Sequence, residues 1–321
     1  MMEFLVEVDG QIYEISELVT SVSYTDKLND GCSKLEFSYI DDDLRIQNGS
    51  VVRFRYDDSR FRYDDSNIFY GYVFKHEQNK AKEITVTAYD QLRYCKAKDI
   101  VVVKNGETLT SLIDKMCNYF SLNKGFIANT GYALPTTIHD DKTWLDIIYT
   151  GISDTLTGKG KWYCLRDEFG SIALRDLEEL QLNLVLGDES LAYDYTYEKS
   201  IDDETYNQVK VSIPNEKTGK YESYVVKDSE SISKFGLLQY LEVLDKDANP
   251  SQAKSKADML LQLYNREVET LELSCLGDVR VRAGTSFFGQ IEDIKLNKRL
   301  IVREVTHEFV PVHTMSLEVM L

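Results

Sequence analysis

At 321 residues the chain is about twice the usual domain length, so two or three compact units are expected. Hydrophobic residues make up 43% and charged residues 28%, enough to fill cores and cover surfaces, which excludes wholesale disorder. With 37 basic against 54 acidic side chains the net charge is -17, a field that repels phosphates and argues against sequence-specific nucleic-acid reading.

The start, MMEFLVEVDGQIYEI, lacks the basic and long apolar runs of a secretory signal, and no window approaches the roughly 20 apolar residues of a membrane helix. Residues 4–15 read as two strands about Asp9 and Gly10, a dipeptide suited to a two-residue hairpin. Leu35, Phe37 and Tyr39 alternate with polar residues, as do Ile84, Val86 and Ala88, so each run is a half-buried strand. Residues 1–97 are therefore expected to form an N-terminal β-barrel domain. Within it the heptad RFRYDDS at 53–59 is repeated at 60–66. Seven is odd, so a continuous strand would swap its faces; the copies are expected to flank an exposed turn, or one of them to be looped out, with an aromatic and arginine contact patch as the other reading.

From Ile100 the pattern changes. Leu109, Leu112, Ile113, Met116, Cys117 and Phe120 recur at helical spacing. A second helix is expected to begin at Thr143, with Asp146 reaching back to the cap and Trp144, Ile147, Ile148 and Ile152 on its buried side. KWYCLRDEFGSIALRD reads as a hairpin turning near Glu168 to Gly170. Residues 98–188 are thus a mixed α/β domain. Val209, Val211 and Ile213 restart the alternation, and one helix follows, capped by Asn249 with Pro250 first and Ala253, Ala257, Leu260, Leu261 and Tyr264 as its stripe. Strands resume near Glu267. Residues 189–321 are expected to be a C-terminal β-barrel domain with one helix. The fold class is mainly β, two small β-barrel domains flanking a mixed α/β domain.

Chemistry is sparse in this sequence. The acidic runs Asp41 to Asp43, Asp57 and Asp58, Asp64 and Asp65, and Asp202 to Glu204 lie at expected turns and lack the spacing of a calcium loop. Of four histidines, His307 and His313 face each other across a turn at Val310 and Pro311, and a hydrogen-bonded structural pair is expected over a metal site, since no third ligand is indicated. Five cysteines (Cys32, Cys95, Cys117, Cys164, Cys275) are scattered and odd in number, which argues against disulfides and zinc and for a reducing cytoplasm; a nucleophilic Cys164 or Cys275 is the weaker reading. The glycines at 158–160 and 284–289 lack phosphate-loop spacing. No catalytic, cofactor-binding or metal residue is expected, and no cofactor.

TYNQVKVSIP, SISKFGLLQYLEVLD, the helix carrying Ala257, Leu260, Leu261 and Asn265, LGDVRVRAG and VTHEFVPVHTMSLEV, with WYCLRDEFGSIALRD before them, together resemble the XkdQ/YqbQ-like family, baseplate hub proteins of contractile phage tails and phage-tail-like bacteriocins. The resemblance spans about residues 95–321, and the repeated heptad departs from it. It implies a non-enzymatic homotrimer whose two barrels per chain imitate six positions, joining a sixfold tail tube protein to a threefold central spike protein among other baseplate proteins, with no membrane partner. Assembly into a released particle follows, with some acidic side chains facing the bore. The alternatives are a cell-wall (peptidoglycan) hydrolase or binding module of a tail, and a carbohydrate-binding β protein, suggested by 21 tyrosines and 13 phenylalanines.

Overall fold

β1 (Met2–Val8) turns into β2 (Gln11–Glu14) through Asp9 and Gly10, whose φ angles of 50° and 76° set Val8 opposite Gln11 in the expected hairpin. The computed structural model describes residues 2–40, 44–57, 66–188, 190–202, 204–215, 219–246 and 248–321. Most of the second heptad copy, and Asp41 to Asp43, Asp58, Asp64, Asp65 and Asp203 of the acidic runs, lie outside the described residues. β3 (Val19–Lys27), β4 (Lys34–Tyr39), β5 (Val51–Tyr56), β6 (Asn67–Gln78) and β7 (Ile84–Tyr89) follow. Their inward residues, among them Val22, Leu35, Phe37, Val52, Phe54 and Val86, share one core with Phe4 and Val6 and are fully buried.

β8 (Lys98–Val103) precedes α1 (Leu109–Phe120), which opens on a capping box of Thr108 and Ser111. β9 (Lys124–Ile127) and β10 (Thr137–Thr143) lead to α2 (Trp144–Lys159), where Thr143 and Asp146 form the expected box. The apolar stripes of both helices meet in a second core that includes Leu112, Ile113, Met116, Ile147 and Ile148. β11 (Tyr163–Asp167) and β12 (Ile172–Asp176) pair antiparallel about the expected turn, closed by the Glu168 N–H donating to the Ser171 carbonyl at 2.8 Å.

The chain divides into two compact units, residues 1–196 with 271–321, and residues 197–270. After β13 (Gln181–Gly187) it leaves the first unit along β14 (Ala192–Ser200). In the second unit β15 (Gln208–Asn215) lies between antiparallel β16 (Lys220–Lys227), which leads into α3 (Ser229–Phe235), and parallel β17 (Gln239–Val243). Val209, Val211 and Ile213 pack against Ala253 and Ala257 of α4 (Pro250–Tyr264), which starts at the expected Asn249 cap. The helix α3 is a second helix where one is expected; it buries no residue, so no apolar stripe marks it, and Asp228 caps it through the N–H groups of Glu230 and Ser231.

β18 (Val268–Leu276) returns to the first unit, followed by β19 (Ser286–Ile291), β20 (Leu296–Glu308) and β21 (Thr314–Met320). The sheet runs β18-β21-β20-β3-β4-β7-β6-β5-β1-β2, with β19 on β20 and β13 on β19. Glu304 to Glu308 of β20 oppose Lys27 to Ser23 of β3, so the two strand sets expected as separate barrels join edge to edge, and the hydrogen-bond path among the described strands does not close. The reason is the 13-residue length of β20: its first half serves β19, its second half serves β21 and β3. Residues 271–321 thereby complete the sheet begun by residues 2–89. Alternation identifies a strand but not its partner.

Candidate functional site

The hairpin tip between β11 and β12 is built around one carboxylate. Arg166 donates to Glu168 from Nε and Nη2 at 2.9 and 2.7 Å, and Arg175 donates from Nε and Nη2 at 3.0 and 2.6 Å. Burial alone would raise the Glu168 carboxyl, but these hydrogen bonds and charges override it and hold it at about 2. Gly170, at φ 90°, donates its N–H to Asp167 Oδ1 at 2.6 Å, and a Cβ there would stand 2.9 Å from the Tyr70 ring. The tip thus seats Phe169 against Tyr70, with ring centroids 6.1 Å apart.

From that contact a ladder of rings crosses the outer face of the sheet: Tyr70 to Tyr72 at 6.0 Å, Tyr72 to Tyr94 at 5.6 Å, Tyr94 to Phe74 at 5.6 Å, and Phe74 to Tyr89 at 5.6 Å. Register explains it, because Arg53 stands opposite Tyr70 and Tyr72 opposite Tyr89. Gly71 lets the backbone of β6 approach β7 closely; a Cβ there would lie 2.3 Å from the Tyr89 carbonyl oxygen. Three guanidiniums cover the rings: Arg53 over Tyr70 (5.5 Å), Arg55 over Phe169 (5.2 Å) and Arg93 over Phe74 (5.0 Å). Arg55 also pairs with Glu3 at 3.4 Å, whereas Arg53 and Arg93 make no ion pair among the described residues. The first heptad copy supplies Arg53 and Arg55. The signal for the rest is the alternation of Tyr70, Tyr72 and Phe74 in NIFYGYVF, and only long-range pairing adds Tyr94, Arg93 and Phe169.

Beneath the sheet lies a polar junction. Arg282 donates from Nε to Asp26 at 2.9 Å and from Nη1 to the Asp167 carbonyl at 3.0 Å, tying together segments 256 residues apart. Asp90 accepts from the Ser33 N–H at 2.8 Å and from the Ser33 hydroxyl, and burial, reinforced by the Asp167 carboxylate, raises its carboxyl to about 7. His307 and His313 meet as expected, Nδ1 to Nε2 at 3.0 Å, behind the Val310–Pro311 bond, which is cis. The Val281 carbonyl, 2.8 Å from His307 Nε2, can only accept, so the proton of neutral His307 sits on Nε2 and His313 donates to Nδ1. Burial pushes His307 down to about 4. Both its nitrogens are thereby engaged in structural bonds. Burial pushes the Cys164 and Cys275 thiols up to about 12, and Cys164 faces the carbonyls of Leu165 and Ala283.

No helix among the described residues is long and apolar enough to cross a membrane. The profile of the family described as YQBQ-like matches residues 22–320. The chain belongs to the YQBQ-like family. It is 27% identical over 277 residues to phage-like element PBSX protein XkdQ of Bacillus subtilis (strain 168), covering 85% of this chain and 82% of that protein. Its fold is that of the 43 kDa tail protein of prophage MuSo2 from Shewanella oneidensis (TM-score 0.72, 13% identity, 99% of this chain and 98% of that one). It is also similar to the E. coli c3393 protein, a type VI secretion component described as structurally similar to the T4 bacteriophage tail proteins gp27 and gp5 (TM-score 0.57, 10% identity, 94% and 73% covered). This YQBQ-like chain is mainly β and has the fold of phage tail proteins.

Proposed function

We propose that this YQBQ-like protein is the hub of a tail baseplate, a non-enzymatic homotrimer that joins a sixfold tail tube to a threefold central spike and contacts other baseplate proteins. The observation that carries the reading is the joining of two antiparallel strand sets, residues 2–89 and 271–320, through the β3–β20 pair in one chain. Three copies of a chain with two such sets would offer six strand sets to a tube and three chains to a spike. The described similarity of the c3393 protein to gp27 and gp5 supports the same placement. Under this reading the chain is made in the bacterial cytoplasm and leaves only within a particle, and part of the -17 charge lines the bore, where it would let anionic cargo pass without adhering. The division into 1–97, 98–188 and 189–321 enters here as a proposal about how tube-facing and spike-facing parts are apportioned. Electron microscopy of the chain assembled with its tube and spike proteins tests this: a three-chain ring between them is expected. Monomers alone with no density between tube and spike would remove the reading.

A further inference from the structure

The ladder gathers three arginines, Arg53, Arg55 and Arg93, on one outward surface of a chain of net charge -17. Tyrosine and arginine are the residues that dominate protein–protein binding energy, and cation–π stacking pre-orders guanidiniums that would otherwise lose freedom on binding. Tyr94 is 42% exposed and its ladder neighbours are half-buried, so the face meets solvent without being loose. The rings do not suit stacked sugars or bases. Neighbouring planes meet at 51–82°, edge to face, so the ladder offers no run of parallel faces. What remains is a firm, cationic, half-apolar surface that fits an acidic protein face.

A second copy of this chain has that chemistry. Within the same unit, Val185, Asp188, Gln290 and Glu292 line a shallow concavity. Among the described residues Asp188, Glu292 and the adjacent Asp293 meet no cation, while Val185 (48% exposed) adds apolar surface to the same concavity. Two copies at net -17 repel each other at random approach, so association requires the acidic side of one to find the cationic side of the other. The two patches differ, which makes the contact head to tail, and a head-to-tail contact that closes generates a ring.

We infer that the aromatic–arginine ladder is the self-association surface of this protein and receives the acidic face around Asp188 and Glu292 of the next copy. The inference rests on the hub reading and specifies where its chains meet. The test is sedimentation of the full chain and three variants: Arg53→Glu with Arg93→Glu, Asp188→Arg with Glu292→Arg, and all four changes together, with thermal melts to confirm folding. Wild type should associate, each double variant should associate at least about tenfold more weakly, and the fourfold variant should recover. Tyr94→Ala, which keeps every charge, should weaken association without lowering the melting temperature. If wild type associates but neither reversal matters, this surface is wrong and the hub reading stands. If wild type stays monomeric even with the spike protein added, the hub reading itself falls. Binding of a single-stranded oligonucleotide or a cell-wall glycan that is lost in Arg53→Glu with Arg93→Glu, with association intact, would assign the ladder to those ligands instead.

Discussion

Burial moves Asp90 and His307 in opposite directions, to about 7 and to about 4. A histidine held below its unfolded value contributes stability above about pH 6.5 that is lost as pH falls toward 4. A carboxyl held above its unfolded value contributes stability below about pH 4 that is lost as pH rises toward 7. Across the shared window the two slopes oppose, each reaching about 1.4 kcal/mol per pH unit. Asp90→Asn removes one of them. Relative to wild type the variant should therefore lose stability between about pH 6.5 and about 4.5, read by urea denaturation at several pH values; parallel curves would refute the assignment. Glu168→Gln leaves Arg166 and Arg175 without their shared carboxylate and should cost about 2 kcal/mol in the same measurement.

Elements that answer to local rules are legible in the sequence alone. The Asp9–Gly10 hairpin, the Thr143 and Asn249 caps and the α1 stripe each depend on residues within a few positions of one another. Thr143→Ala should cost about 1 kcal/mol of stability and Thr143→Ser much less, since a serine oxygen can still accept from the Asp146 N–H. Two things escaped the local reading for one reason. The β3–β20 pair and the Arg282–Asp26 contact join residues over 250 positions apart, and no window of the sequence holds both partners. The ladder is intermediate: the arginines of RFRYDDS and the alternating tyrosines of β6 were readable as a patch, but Phe169 and Arg93 reach it only through the hairpin tip and the turn after β7.

At the scale of the whole molecule, the division into two compact units has a thermodynamic expectation. Val211 lies at the centre of the small core of the second unit, and Val211→Ala opens a cavity there worth about 2 kcal/mol. Calorimetry should then show one transition moving down while the other stays, whereas Val86→Ala in the first unit should do the reverse; a single transition that shifts with either change would mean the units melt as one.

The zipper between β3 and β20 also orders events in time. Thr25 touches Thr306 across 281 positions, so a ribosome must pass Thr306 before the inner strand of the sheet finds its neighbour. Until then the nascent chain carries an unpaired strand flank, able to template against any extended polypeptide nearby. Emergence of β20, from Leu296 onward, seals that flank. A fragment released before β20 emerges would therefore keep an open strand flank and pair readily with other chains.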